Sequence, residues 1–326
     1  MDSRALSSTS IHTIRVTRIG KSIDWMAMVL IVAIASIANA HQTVDPDFHP
    51  VVDHPEYRTE SGPLVLIDEA HLNYHTATGQ YEPFARALRL DGFRVQPFKE
   101  RFSPGSLRQG DILVIANAVS EATAKNWAVP PASAFSKKEI AAVRDWVRRG
   151  GALILIVDHM PVPGSNERLA SAFGVKHWSN GYAQDPTSGG LITFRRESGA
   201  LADHAITDGR SAAERVEHVV TFAGSAFEAP PSSQPILTFT GDAVSWLPKL
   251  AGKLEPGTPS VSVKGWHQGA VLRYGKGRVA LFGEAAMFSA QRVGPGRDPN
   301  GMNARIAAQN QQFLLNVFHW LAGSLQ

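Results

Sequence analysis

The stretch Trp146–Pro161, WVRRGGALILIVDHMP, decides the fold of this chain. Its first residues end an amphipathic helix, and the pair Gly150-Gly151 stops that helix and turns the chain. Five apolar residues, LILIV (153–157), come next, and the polar pair Asp158-His159 follows them directly. A short run that is apolar on both faces is typical of a strand in a parallel sheet that is covered by helices.

The same pattern recurs towards the N-terminus. Apolar runs alternate with helical spacing in this order: LVLI (64–67), a helix over Tyr81–Leu90, FRVQP (93–97), ILVIA (112–116), a helix over Lys137–Arg149 with a Ser136–Glu139 capping box, LILIV, and a helix from about Asn166 to Phe173. Right-handed crossovers between such strands place their carboxyl ends along one edge, where open α/β sheets bind ligands.

The C-terminal half predicts an extension of this sheet. GAVLRY (269–274) and RVALFG (278–283) indicate a hairpin that feeds one more buried strand, and a closing helix is expected over Asn303–Leu321, with Ile306 on its apolar face. Residues 175–268 are β-rich, with LITFRR (191–196), VEHVVTFAG (216–224) and PILTFT (235–240), which favours an antiparallel extension or a small lobe. The predicted class is α/β with a mostly parallel sheet and a β-rich C-terminal extension.

Composition excludes several classes of protein. The chain has 326 residues, is 44% hydrophobic and 19% charged, and contains no cysteine. Disulfide scaffolds, thiolate metal sites and cysteine nucleophiles are therefore excluded. Without residues 1–40 the chain carries 28 Lys and Arg against 27 Asp and Glu, so it has no basic surface that would indicate a nucleic-acid partner.

The first 40 residues have the pattern of a secretory signal peptide. Arg15, Arg18 and Lys21 precede an apolar stretch, Trp25–Ala38, that ends in Ala38-Asn39-Ala40. This stretch is shorter than the roughly 20 residues of a membrane-spanning helix, although an uncleaved anchor stays an alternative. We expect a periplasmic or secreted protein, cleaved near Ala40, with no stable transmembrane anchor.

An extended arm is predicted for residues 41–63, which are rich in Pro, His and Asp and show no period. The ordered domain is expected to span 64–326. His41, His49 and His54 of the arm offer possible metal ligands, although a solvated arm is the more common outcome.

The densest polar cluster follows the first buried strand. It contains Asp68, Glu69, His71, Asn73 and His75 within nine residues. One helical turn there would place His71 and His75 on one face, a spacing that suits two imidazoles on one divalent metal, zinc or manganese. The alternative is that either histidine caps a helix or bonds a backbone carbonyl. Asp68, Glu69 and Asn73 are candidate ligand-binding residues.

Three further strands also end in polar side chains. Asp158 and His159 follow LILIV, Glu284 follows the last strand, and Asn117 follows ILVIA. We expect Asp158, His159 and Glu284 to be catalytic and Asn117 to bind a ligand. The alternatives are a structural turn in which Asp158 caps backbone amides, and for Glu284 an acid at a helix N-terminus that the macrodipole favours.

Weaker candidates surround this edge. The long connection 118–135 suggests a lid that carries Trp127 as a ligand contact, or a loop packed down by that tryptophan. Asn180-Gly181-Tyr182 and Trp266-His267 are candidates for lining a sugar site. His204, His218 and His319 are expected to be structural.

The chain resembles the class I glutamine amidotransferase-like superfamily in IDEAH…NYHT (67–76), WVRRGGALILIVDHMP (146–161), GKGRVALFGEAAMFS (275–289) and N…FLLNVFHWLAG (310–323). It is most similar to the exported bacterial branch of unknown function that is allied to gliding-motility auxiliary and trehalose-utilisation-like proteins. The resemblance covers about residues 63–326 and implies a flavodoxin-like three-layer sandwich. Amidotransferases of this superfamily carry a cysteine at the turn where this chain has Asp158-His159, so glutamine hydrolysis through a thioester is excluded. The trehalose-utilisation-like branch implies a role for His159.

Two functions remain open from the sequence. One is an exported protein with a degenerate site that binds a carbohydrate or an envelope component, and that joins an envelope protein complex. The other is a metal-assisted periplasmic hydrolase that uses the His, Asp and Glu side chains, since a catalytic metal needs about three protein ligands.

Overall fold

The computed structural model describes residues 42–127, 129–188 and 190–326. The predicted signal peptide and His41 lie outside these residues. The fold is mixed α/β. Within the described ranges, no helix combines the length and the apolar character that crossing a membrane requires.

Fifteen strands and six α-helices make up this part of the chain. The strands are β1 (Thr43–Val44), β2 (Leu64–Asp68), β3 (Arg94–Phe98), β4 (Ile112–Ala116), β5 (Ala152–Ile156), β6 (Tyr182–Gln184), β7 (Ile192–Arg195), β8 (His218–Thr221), β9 (Gln234–Thr238), β10 (Val244–Trp246), β11 (Ser260–Ser262), β12 (His267–Tyr274), β13 (Gly277–Phe282), β14 (Ala290–Val293) and β15 (Asp298–Gly301). The helices are α1 (Glu82–Leu90), α2 (Glu121–Asn126), α3 (Lys137–Arg148), α4 (Val162–Ser171), α5 (Ala205–Asp208) and α6 (Asn310–Ala322). Short 3-10 helices lie at Ser106–Gln109, Ala286–Phe288 and Arg305–Ala307.

The main sheet has seven strands in the order β3-β2-β4-β5-β13-β12-β9. Neighbours from β3 to β13 pair in parallel, whereas β12 pairs antiparallel with both β13 and β9. Three small sheets, β1-β14-β15, β11-β10-β6 and β7-β8, complete the described strands. The α/β class with a mostly parallel sheet is therefore confirmed.

The main sheet is buried because its strands are apolar on both faces. On β5, Ile154 and Ile156 join a core cluster that contains residues of α1 and α6. Leu153 and Leu155 point the other way and join a second cluster that contains residues of α3 and α4. Successive side chains of a strand alternate between its faces, so two hydrophobic cores lie against this one strand.

The expected elements occur, but two helices begin elsewhere. The helix expected from Asn166 begins at Val162, because Pro163 in its first turn has the backbone angle that a helix start needs. The closing helix was expected from Asn303, but it begins at Asn310, after strand β15 and a 3-10 helix. Ile306 lies in that 3-10 helix and is 47% exposed, so its predicted place on the apolar face is wrong.

The arm over residues 42–63 lies on the folded domain. Strand β1 pairs with β14, Arg86 donates to the carbonyl oxygen of Phe48, and the N–H of Glu56 donates to Asp91 at 2.8 Å. Residues of the arm thus form hydrogen bonds with the folded domain, although they precede Leu64, the expected start of that domain.

The β-rich segment divides its strands between several sheets. Strand β9 extends the edge of the main sheet, β7 and β8 form a two-stranded sheet, and β6, β10 and β11 form a three-stranded sheet. The predicted antiparallel extension therefore forms through β9.

The hairpin between β12 and β13 is confirmed, and its tight packing requires glycine. Gly275 adopts a positive φ of 62° in the turn. A Cβ atom on Gly277 would lie 2.1 Å from the carbonyl oxygen of Val147 and 2.2 Å from that of Gly151. The hairpin therefore packs directly on the backbone that links α3 to β5.

We expect Gly277→Ala to lower the free energy of unfolding by about 1–3 kcal/mol, because the added methyl group forces these backbones apart. The control Gly241→Ala should change it by less than about 0.5 kcal/mol, since a Cβ there meets nothing within 4 Å. Urea denaturation measures both. Equal urea midpoints of unfolding for the two variants would contradict the close packing of Gly277 on these backbones.

Candidate functional site

Four parallel strands deliver polar residues to one edge of the main sheet. Asp68 ends β2, Asn117 directly follows β4, and Asp158 and Glu284 lie two residues beyond β5 and β13. Because these strands pair in register and in parallel, their carboxyl ends meet at the same edge. From this common edge the side chains divide into two clusters with different partners.

Asn117 holds together three of the loops at this edge. Its carboxamide oxygen accepts the backbone N–H of Asp158 at 2.9 Å, and its Nδ2 lies 3.2 Å from Nδ1 of His75. Its own backbone N–H donates to Ile156, and its carbonyl oxygen accepts the N–H of Tyr74. Asn117 adopts a left-handed φ of 53°, which asparagine tolerates better than most residues.

His159 presents one ring nitrogen without a protein partner. Its Nδ1 lies 3.0 Å from the carbonyl oxygen of Met160, so Nδ1 carries the proton and Nε2 is an acceptor. The ring stacks on Tyr182 with centroids 4.5 Å apart. Nε2 has no hydrogen-bond partner among the described residues, and His159 is half-buried.

Asp158 is the half-buried carboxylate beside this imidazole. Its Oδ1 accepts the backbone N–H of His159 at 2.7 Å, which shapes the turn. Its Oδ2 makes no hydrogen bond with the part of the chain that the structure describes. We name His75, Asn117, Asp158, His159 and Tyr182 the Asp158 cluster.

His75 is the buried, uncharged member of the Asp158 cluster. Burial is the main cause that lowers its pKa to about 4, and the charge of Asp158 opposes this shift. His75 is therefore neutral at pH 7. Because Nδ1 accepts from Asn117, the ring proton lies on Nε2, which therefore accepts no hydrogen bond from the side-chain nitrogen of Gln291 3.5 Å away.

Tyr182 closes the back of the cluster. Burial raises the pKa of Tyr182 to about 12, with the Asp158 charge adding to the shift. Its hydroxyl accepts the N–H of Gly252 at 2.7 Å. Residue 251 in turn donates its backbone N–H to the carbonyl oxygen of Trp127 at 3.3 Å, which links this loop to the segment 118–135.

Glu284 lies beneath the Asp158 cluster and caps backbone amides. Its two carboxyl oxygens accept the N–H groups of Ala286 at 2.9 Å and Met287 at 2.7 Å. Burial, followed by the charge of Asp158, raises the pKa of Glu284 well above its ordinary value. Glu284 is 2% exposed, so the structure shows the capping role that the sequence left as its alternative to catalysis.

Asp68, His71 and Glu139 form the second cluster, which we name the His71 cluster. His71 Nδ1 lies 2.9 Å from both carboxylate oxygens of Asp68, and Nε2 lies 3.0 Å from Glu139 Oε1. The His71 ring also contacts Phe102 and Phe135. Burial alone would lower the pKa of His71, but the hydrogen bonds and charges of Asp68 and Glu139 outweigh it and raise the pKa.

The structure does not pair His71 with His75. Residues 69–76 contain no helical turn, so the i,i+4 geometry expected for a shared metal does not form. The two rings contact different residues: His71 packs on Phe135, and His75 packs on Tyr81. Across the described residues, no three or more His, Asp or Glu side chains are grouped so that they could hold a metal ion.

Three other candidates shape loops at this edge. Glu69 accepts the N–H of Ala77 at 2.9 Å, and the buried Asn73 bonds the N–H of His71 and the carbonyl oxygen of Ala116. Trp127 is 44% exposed and donates its indole N–H to Ala124. The segment 118–135 is therefore not packed down by its tryptophan.

Tyr182 belongs to the Asp158 cluster, and several of the other weaker candidates bond within the fold. Their contacts are His49 with Arg86, Asn180 with the N–H of Gly164, Trp266 with the ring of His177, and His267 with Thr238. The histidines expected to be structural each have a partner: His204 caps α5, His218 faces the carbonyl oxygen of Ile306, and His319 lies 2.6 Å from Asp91.

Sequence reasoning missed three residues of this region: Tyr81, Glu139 and Gln291. Tyr81 packs on His75 and donates its hydroxyl to the carbonyl oxygen of Ala285 at 3.1 Å. Glu139 carried a signal, since the capping box places its side chain at a helix start, but nothing in the sequence joins it to His71 across 68 residues. Gln291 carried no signal at all.

Comparisons with known proteins agree with the fold. The N-terminal domain of mmIFT52 is 12% identical, with a TM-score of 0.53 over 80% of this chain and 97% of that one. A ThuA-like protein from Bacteroides uniformis ATCC 8492 is 13% identical, with a TM-score of 0.45 over 85% and 96%. The exo-β-1,4-mannosidase Op5Man5 from Opitutaceae bacterium strain TAV5 is 11% identical, with a TM-score of 0.38 over 82% of this chain and 37% of that enzyme.

No protein-family model and no curated protein matches the sequence. At these identities, similarity to solved structures shows the fold alone, and the mmIFT52 domain is the one of these three with a TM-score above 0.5. The chain therefore shares its α/β fold with the mmIFT52 N-terminal domain.

We expect His71→Gln to lower the free energy of unfolding by about 3–5 kcal/mol, because it leaves two carboxylates without their buried cation. The folded-state pKa of His71 lies above the ordinary value of 6.5. Its contribution is therefore complete below pH 6.5 and is lost as pH rises through the folded pKa. Urea titrations at several pH values should show this decline in the wild type and not in the variant.

The control for this measurement is His177→Gln, which changes an exposed histidine. It should keep both the stability and the pH dependence of the wild type. An unchanged decline above pH 6.5 in His71→Gln would show that another group causes it.

Proposed function

We propose that this chain is an exported ligand-binding protein with a flavodoxin-like, amidotransferase-like three-layer fold. Its Asp158 cluster binds a carbohydrate or a related polyhydroxylated component of the cell envelope. The observation that carries this proposal is the adjacent pair Asp158 and His159, half-buried at the end of a central strand, with one polar atom each that lacks a partner among the described residues.

The chemistry of these two atoms suits hydroxyl groups. Asp158 Oδ2 and His159 Nε2 are both acceptors, and a sugar presents several hydroxyl donors on one face. The imidazole ring adds a flat surface, backed by Tyr182, on which the C–H face of a sugar can stack. Hydrogen bonds to a carboxylate are the stronger kind, so Asp158 contributes most to affinity.

The surrounding residues favour binding over catalysis. His75 and Glu284 are buried and already hydrogen-bonded, so they position the turn and do not reach a ligand. The nucleophile of amidotransferases is missing, because the chain has no cysteine. The metal-assisted alternative finds no ligand set among the described residues.

We expect a saccharide from a panel of mono- and disaccharides and a peptidoglycan fragment to raise the melting temperature of the wild type. Asp158→Asn and His159→Ala should each weaken its binding about tenfold or more, since each loses a hydrogen bond to the ligand. Calorimetric titration measures the dissociation constants. The exposed Asp242→Asn and His177→Ala serve as matched controls.

Equal affinities for all five proteins would show that the saccharide binds elsewhere. A stabilising effect of divalent metals that depends on Asp158 and His159 would favour the hydrolase instead.

Export is tested separately from binding. In a Gram-negative host, the full chain should yield a periplasmic protein that begins at His41, as determined by N-terminal sequencing. Ala38→Arg should leave an uncleaved precursor, because it removes the first small residue of Ala38-Asn39-Ala40. A wild-type product that starts at Met1 in the cytosol would overturn the proposed export.

A further inference from the structure

A cavity separate from the Asp158 cluster lies at the carboxyl edge of the main sheet. It is bounded by the loop after β2 and by the segment 118–135. Its volume is about 380 Å³, within the range of small-molecule sites. None of its lining residues belongs to the Asp158 cluster. They are Ala70, His71, Leu72, Arg101, Val119, Ser120, Glu121, Ala122, Ala132 and Ala134.

The covering segment is held at both ends. Near its start, the N–H of Val119 donates to the carbonyl oxygen of His71 at 3.0 Å. Near its end, the N–H of Ala134 donates to Ser165 at 2.9 Å. In between, Thr123 bonds Ala132 through its hydroxyl. These bonds fix the position of the segment, and the cavity is open to solvent beside the exposed Leu72, Ala122 and Ala132.

Most of the lining side chains are small and apolar, although polar atoms make up more than half of the accessible wall. Six of the lining residues are Ala, Leu or Val. The His71 side chain is fully buried, so His71 meets the cavity through its backbone. The Ser120 hydroxyl is occupied, because it accepts the N–H of Thr123 and donates to the hydroxyl of the same residue. Arg101 and Glu121 are the charged side chains that remain.

Arg101 is the side chain that is poised for a ligand. Its guanidinium makes no hydrogen bond with the described residues, and the closest carboxylate oxygen, on Glu139, is 3.8 Å away. That oxygen already faces His71 at 3.0 Å. Glu121 lies in the first turn of α2, where the helix dipole stabilises an acid. The guanidinium donors of Arg101, which make no hydrogen bond with the described residues, favour an anionic group on the ligand.

We propose that this cavity binds a small organic carboxylate. The carboxylate pairs with the Arg101 guanidinium, whose planar fork matches two oxygens, and an apolar body fills the space between Leu72, Val119 and the alanines. This site is independent of the saccharide site proposed above. Glu121 and Glu139 lie near Arg101, so we expect modest affinity that falls as salt is added.

Three probes with the same six-carbon body separate the contributions: hexanoate, hexanamide and hexylammonium. NMR titration of the full chain at low ionic strength should show saturable shifts at Ala122, Ala132 and Ala134 with hexanoate. Hexanamide should bind at least about tenfold more weakly than hexanoate, because it lacks the charge-assisted hydrogen bonds. Hexylammonium should not bind.

Two variants locate the site. Arg101→Gln should weaken hexanoate binding about tenfold or more without unfolding the protein, because the side chain is 63% exposed. Ala122→Leu should abolish binding of hexanoate by filling the cavity. The exposed Arg58→Gln and the saccharide-site variant Asp158→Asn should bind hexanoate as the wild type does.

The possible outcomes decide the proposal. Equal binding of hexanoate and hexanamide, or an unchanged affinity in Arg101→Gln, would overturn the carboxylate assignment. Absence of any saturable shift would overturn the site itself. Loss of hexanoate binding in Asp158→Asn would place the ligand in the Asp158 cluster and refute a separate cavity site.

Discussion

The strands of the main sheet are buried on both faces, and this constraint determines where polar chemistry can occur. Ile154 and Leu155 alternate between two hydrophobic cores, so no polar side chain is tolerated between them. The chain can place polar groups only where the strands end. Parallel pairing brings these ends together. Asp68, Asn117 and Asp158 therefore reach one edge although they are far apart in the sequence.

At this edge the carboxylates and imidazoles are paired in two different ways. In the His71 cluster the imidazole lies between two carboxylates, whose hydrogen bonds and charges outweigh the effect of burial and raise its pKa, and both ring nitrogens are bonded within the fold. The Asp158 cluster keeps its buried imidazole neutral and leaves Asp158 and His159 half-buried. The first arrangement pairs its polar atoms within the fold, and the second retains the free acceptors that the proposed ligand would bind.

Asn117 is the residue that makes the second arrangement specific. One carboxamide satisfies both the N–H of Asp158 and the ring of His75, so it sets the path of the turn and the tautomer of the histidine together. Aspartate at this position would accept the backbone hydrogen bond but would have no donor for His75. The left-handed backbone of Asn117 further restricts which residues fit.

Local patterns in the sequence were sufficient for the α/β class, the order of the strands along the chain, the β12–β13 hairpin and the edge at which Asp68, Asn117, Asp158 and Glu284 lie. Each depends on neighbouring residues: apolar runs, caps and glycine turns. Helix α4 begins at Val162, before the expected Asn166, because Pro163 fits the first turn of a helix. Only the tertiary structure decided the side-chain partners. Glu139 meets His71 across 68 residues, Gln291 reaches His75 across 216, and His71 and His75 separate because their loop is not helical. Such contacts depend on how the helices and sheets pack, and a local sequence pattern does not determine that packing.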